Sequence, residues 1–152
     1  MSALAYRAAT RDDLRFLVHL MAIDDVSGTS ADWDDADMPR YVEALAAIDD
    51  DRNQLLFIVE KEGRSVGTFQ LTFMPGIMRQ GMWRCVIESV HVIPEERNQG
   101  YGKQLIRHAI GIARERGCGI VQLTSSKKRI DAHRFYRTLG FDQSHEGFRL
   151  YL

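Results

Sequence analysis

Between a proline-ended apolar run and an amphipathic stretch, the chain carries Arg97-Asn98-Gln99-Gly100-Tyr101-Gly102-Lys103. Upstream, Trp83–Ile93 has the composition of a strand and stops at Pro94. Downstream, Leu105, Ile106, Ala109, Ile110 and Ala113 recur at helical spacing. A strand that runs through a glycine-bearing turn into a helix belongs to a layered α/β architecture. The same junction favours an anion. The first N–H groups of a helix lack intrahelical acceptors, and the helix dipole attracts negative charge there. Gly100 and Gly102 let backbone approach a ligand closely, and Arg97 and Lys103 add donors. Two nucleotide patterns do not fit. A P-loop needs Ser or Thr after its Lys, where Gln104 stands, and a dinucleotide fingerprint needs a third glycine at Leu105. A tight turn without a ligand is the competing reading of this segment taken alone.

The rest of the chain supplies the layers. Leu4–Ala8 reads as a strand, and Thr10 caps a helix carrying Leu14, Leu17, Val18 and Met21 on one face. Residues 24–37 form an acidic loop, and Met38–Ala47 a second helix. Leu55–Glu60 and Arg64–Phe73 make a hairpin about Glu62-Gly63. Ile120–Thr124 is a strand, and Ala132, Phe135, Tyr136 and Leu139 mark a helix stopped by Gly140. Phe141–Leu152 is expected to hold one or two strand segments. The order β-α-α-β-β-β-α-β-α-β predicts one α/β domain over residues 1–152, a mixed central sheet flanked by helices.

Composition narrows the function. At 152 residues the chain can bury a core without staples. No apolar run approaches the roughly 18 residues of a membrane helix, and the N-terminus has no hydrophobic signal core, so a cytoplasmic protein with no membrane contact is expected. Cys85 and Cys118 are far apart and read as buried free thiols. The histidines at 19, 91, 108, 133 and 145 share no metal-ligand spacing, so no metal is expected. There is no G-x-S-x-G elbow, and no interleaving of basic and aromatic residues that would suit a nucleic acid. Charge is uneven: residues 1–63 carry 14 acidic and 6 basic side chains, residues 64–152 carry 7 and 14.

Two blocks carry a family resemblance. Glu88-Ser89-Val90-His91-Val92-Ile93-Pro94 followed by the 95–106 turn and helix start resembles the central motif of the GNAT family of N-acetyltransferases. Ala132-His133-Arg134-Phe135-Tyr136-Arg137-Thr138-Leu139-Gly140-Phe141 resembles that family's A-x-x-F-Y-x-x-x-G-F element. The resemblance implies acetyl-CoA as donor. Val90, His91 and Val92 would pair through their backbone with the pantetheine arm. Arg97, Asn98, Gln99, Gly100, Tyr101, Gly102 and Lys103 would cradle the pyrophosphate. Ser126 stands where many members have Asn, and His133 opens the helix beside the donor.

For the chemistry, Glu88 interrupts an apolar strand, where partial burial would suit a general base, although a surface Glu or an Arg84 partner reads as well. Tyr136 resembles the family's general acid, with a packing tyrosine as the alternative. Lys127-Lys128-Arg129 reads chiefly as a solvated basic loop. The function expected is acetyl transfer to a primary amine on a small molecule or basic peptide, by a chain that can form a homodimer. The acidic loop and Trp33 favour a cationic acceptor. The competing functions are a non-catalytic CoA-binding sensor or structural protein, and a nucleotide module unrelated to CoA.

Overall fold

Along β3 (Arg64–Met74), Phe69, Leu71 and Phe73 alternate with Thr68, Gln70 and Thr72, so one face of the strand is fully apolar and the other mixed. The computed structural model describes residues 2–152. In it, β3 is the centre of a five-stranded sheet with β1 (Leu4–Ala8), β2 (Gln54–Lys61), β4 (Arg84–Val92) and β5 (Ile120–Leu123). The strands lie in sequence order, antiparallel up to β4, and β5 joins β4 in parallel. A parallel neighbour needs a crossover, and α4 (Tyr101–Glu115) supplies it.

The apolar face of the sheet meets α4. Leu105, Ile106, Ala109 and Ala113 are sealed against Phe69, Leu71, Phe73, Cys85 and Ile87. Each large side chain buried here contributes about 1.5–3 kcal/mol relative to exposure. Burial pushes the Cys85 thiol up to about 11, which keeps it protonated. The opposite face carries α1 (Leu14–Ile23) and α2 (Met38–Asp50), with Leu17 packed on Ala9 and Ile58. Asp13 fixes the entry to α1. It accepts the Thr10 N–H at 2.7 Å and both Arg7 guanidinium nitrogens at 2.7 and 2.8 Å, while Arg7 also reaches Glu60 at 2.7 Å. His108 is structural: its ring stacks on Tyr6 at 3.7 Å, and burial lowers its pKa.

Two features depart from expectation. Met78–Gly81 forms a one-turn α3 in which Arg79 and Gln80 take left-handed φ of 53° and 63°. More importantly, after α5 (Ile130–Thr138) the segment Phe141–Leu152 forms no strand, which corrects the final element of the predicted order. Its alternation is strand-like, but a strand needs a neighbour to take its backbone hydrogen bonds. Here the tail lies unpaired, with Phe148 and Leu150 almost fully exposed.

Candidate active site

The site begins with a fault in β4. Ser89 has a φ of 53°, and one extra residue is accommodated there: Gln70 stands opposite Glu88, yet Thr68 stands opposite His91. Glu88 and His91 therefore share the sheet face that carries α1. On its other edge β4 pairs with β5 only from Arg84↔Ile120 to Ile87↔Leu123. β5 ends there, and β4 runs on through Val90, His91 and Val92 with that edge unpaired by β5.

The glycine-bearing turn follows the end of β4. Asn98 and Gly100 take left-handed φ of 60° and 81°. Gly100 is the N-cap of α4, so the N-cap residue itself supplies no side chain to the helix start. The first amides of α4 thus meet a cleft of about 380 Å³, lined by Val92, Arg97, Asn98, Gly100, Lys103 and Phe135 among others. The cleft is fit for an anionic, extended ligand: helix amides and basic side chains at one end, an unpaired strand edge along it.

The turn residues differ in what they offer the cleft. Tyr101 lines it with a largely buried side chain, and the Lys61 ammonium lies 5.2 Å from its ring centroid. Gln99 donates to the Glu95 carbonyl at 3.2 Å and braces the turn. Gly102 answers a packing demand: a Cβ there would lie 3.3 Å from the Phe135 ring of α5. Sequence reasoning missed Glu96, a buried carboxylate bonded to Lys61 at 2.8 Å and Arg64 at 2.6 Å. Those partners hold its carboxyl below the usual range and tie the turn to the β2–β3 hairpin. They lie 35 and 32 residues away, so no local pattern announces them.

Asp24, at the end of α1, was missed too. Its carboxylate accepts from His91 Nδ1 at 2.6 Å and from the Arg97 guanidinium, and its carbonyl accepts from Arg129. Burial pushes the Asp24 carboxyl up, but the His91 hydrogen bond and the Arg97 charge outweigh it and hold the group below its ordinary value. Arg97 further donates Nε to the Val92 carbonyl at 2.9 Å.

The remaining acids of the 24–37 loop are satisfied locally. Asp25 bonds Ser27 and Ser30, Asp32 meets His19 at 3.0 Å, and Asp34 caps Ala36. Asp35 accepts from Trp33 Nε1 at 2.7 Å. Arg15 lies 5.3 Å over the Trp33 ring and Tyr41 stacks on it at 5.6 Å, so the aromatic face expected to meet a cation is already engaged.

Tyr136 sits between Phe135 and Phe141, with ring centroids 5.2 and 5.8 Å away. Burial raises its phenol pKa, only partly countered by the Arg129 charge, so the phenol holds its proton at neutral pH. His133 Nε2 lies 2.8 Å from the Ser126 carbonyl, which folds the β5–α5 loop beside it. Lys127 pairs with Glu146 at 3.3 Å. Glu88 is exposed and has no ion pair among the described residues, so the partial burial expected of it is absent.

An unpaired strand edge, a glycine N-cap opening on the cleft and a half-buried tyrosine on α5 lie together in this part of the fold. Residues 18–141 match the acetyltransferase (GNAT) family. The chain belongs to that family. Among curated proteins, the GNAT chain is 36% identical over 88 residues to the aminoalkylphosphonate N-acetyltransferase of Salmonella typhimurium, covering 58% of this chain and 56% of that protein. It is 40% identical over 91 residues to the glucosamine 6-phosphate N-acetyltransferase of Trypanosoma brucei brucei, covering 60% and 59%. The match thus spans somewhat over half the length of either curated relative. Among solved structures, a transcriptional regulator from Bacillus halodurans C-125 is 42% identical, with a TM-score of 0.90 over 99% of this chain and 100% of its own.

Proposed function

We propose that the protein transfers the acetyl group of acetyl-CoA to a primary amine. The observation that carries this reading is the run of β4 beyond Ile87 that β5 leaves unpaired, whose end at Val92 shares a cleft with the start of α4. Donor phosphates sit at the α4 amides with Arg97 and Lys103, and the pantetheine arm pairs with the backbone of Val90–Val92. The Val90 N–H polarises the thioester carbonyl. Tyr136 gives its proton to the departing thiolate. Glu88 is exposed on the β4 face that carries α1, where its charge can attract the acceptor ammonium. The acceptor is a small amine. The two curated relatives are named for amines bearing a phosphonate or phosphate, whereas the acidic loop first suggested a cation.

A specific observation favours a second reading. The 42%-identical neighbour is described as a transcriptional regulator, which suits a CoA-binding sensor of the same fold. One experiment separates the two. Acetyl-CoA binding is measured by calorimetry, and thiol release is followed with 2-aminoethylphosphonate, glucosamine 6-phosphate, spermidine and a basic peptide as acceptors. Binding with transfer supports the enzyme. Binding without transfer to any amine supports the sensor, and absence of binding sinks both.

A further inference from the structure

We infer that His91, oriented by Asp24, is the group that takes the proton from the acceptor amine, with Glu88 one register position away attracting the ammonium. This rests on the acetyl-transfer reading above. The bulge at Ser89 puts Glu88 and His91 on one face, opposite Gln70 and Thr68. His91 Nδ1 is 2.6 Å from Asp24 Oδ2, and the two side chains are only 16% and 11% exposed. A carboxylate accepts and never donates, so Nδ1 carries the hydrogen and the lone pair of the neutral ring lies on Nε2. That nitrogen has no hydrogen-bond partner among the described residues and is not among the fully buried unpaired atoms, so it is not sealed from solvent. An imidazole fixed at one nitrogen and open at the other is an oriented proton acceptor.

The charged groups facing His91 are Asp24 from α1 and Arg97 from the turn. Glu88 shares its face, Arg129 meets the Asp24 carbonyl, and Thr68 opposite is uncharged. In the reaction, an ammonium N–H breaks and an N–H forms at His91 Nε2. The freed nitrogen lone pair attacks the thioester carbon. The C–S bond then breaks, and the thiolate takes the Tyr136 proton. The phenolate recovers the second nitrogen proton, and His91 releases the first to solvent. Asp24 is a positioning residue: it fixes the tautomer and balances the imidazolium.

The test uses the full chain. Two-bond ¹H–¹⁵N spectra of the neutral imidazole should show the Nδ1–H tautomer for His91, changing to a mixture in Asp24→Asn. With the best acceptor of the amine panel, His91→Gln should lower kcat at least about 100-fold while acetyl-CoA affinity stays within about threefold, because only the backbone of residue 91 meets the donor. Glu88→Gln should raise the acceptor KM and leave kcat within about threefold. An Nε2–H tautomer in the unsubstituted protein, or a folded His91→Gln variant with undiminished kcat, overturns the inference and leaves acetyl transfer standing. Failure of the unsubstituted protein to bind acetyl-CoA or acetylate any amine would remove both.

Discussion

Asp24 reaches across 67 residues to His91 and 73 to Arg97, whereas its neighbour Asp25 is satisfied within five residues by Ser27 and Ser30. Both belong to one acidic run in the sequence, and both carboxyls are held below their ordinary values. Their consequences differ. Asp25 shapes an exposed turn. Asp24 joins α1, the end of β4, the turn at Arg97 and, through Arg129, the β5–α5 loop. An acid that answers distant cations builds a site, and one that answers nearby hydroxyls and amides builds only a loop.

The sharpest way to break this contrast is Asp24→Ala. It removes the carboxylate that His91 and Arg97 share; with Arg97 half-exposed and still bonded to the Val92 carbonyl, the expected loss is about 1–3 kcal/mol. Urea unfolding should show that loss, with transfer falling at least about 100-fold; Asp25→Ala should shift the unfolding midpoint far less. Next in size, Tyr136→Phe should lower kcat about 10- to 100-fold with acetyl-CoA affinity within about threefold, since the hydroxyl acts on charge that develops only in the transition state. Stopped-flow thiol release and calorimetry separate the two quantities.

Acid provides a third test. Asp24 and Asp13 both have lowered folded pKa values. Each contributes stability that is present in full above the unfolded-chain value near about 4 and is lost as pH falls through the folded value. Stability measured in urea from neutral pH to pH of about 3 should therefore fall on acidification, and Asp24→Asn should flatten part of that slope. The smallest effect is expected from neutralising Asp32, Asp34 and Asp35 together. Their carboxylates serve His19, Ala36, Trp33 and Arg15. Rates with spermidine and with 2-aminoethylphosphonate should change less than about threefold, since exposed ion pairs contribute little. A large, salt-sensitive loss confined to spermidine would return the acidic loop to the role its composition first suggested.

The sheet, its helices and the strand–turn–helix junction were legible because their signals are periodic: β3 alternates at two, and α4 places Leu105, Ile106, Ala109 and Ala113 on one face. The turn into α4 and the helix that carries Tyr136 were legible as local motifs. Asp24 and Glu96 were not, because a carboxylate's partner is chosen by folding. The bulge was hidden because Ser89 is not a residue that announces a positive φ. The tail was misread for a related reason. Alternation in Phe148, Leu150 and Leu152 states a capacity for pairing and says nothing of where a partner lies.

The contact between Gly102 and Phe135 acts as a gauge. The glycine stands at the anion end of the cleft, and the ring precedes Tyr136 in α5. Helix start and phenol are thus held at a separation fixed by one hydrogen atom against one aromatic edge. In a donor thioester, the span from pyrophosphate to sulfur is fixed by covalent bonds. A methyl group at residue 102 would press on that edge, so the Phe135 ring would have to give way by a few tenths of an ångström while the ligand's own span stayed the same.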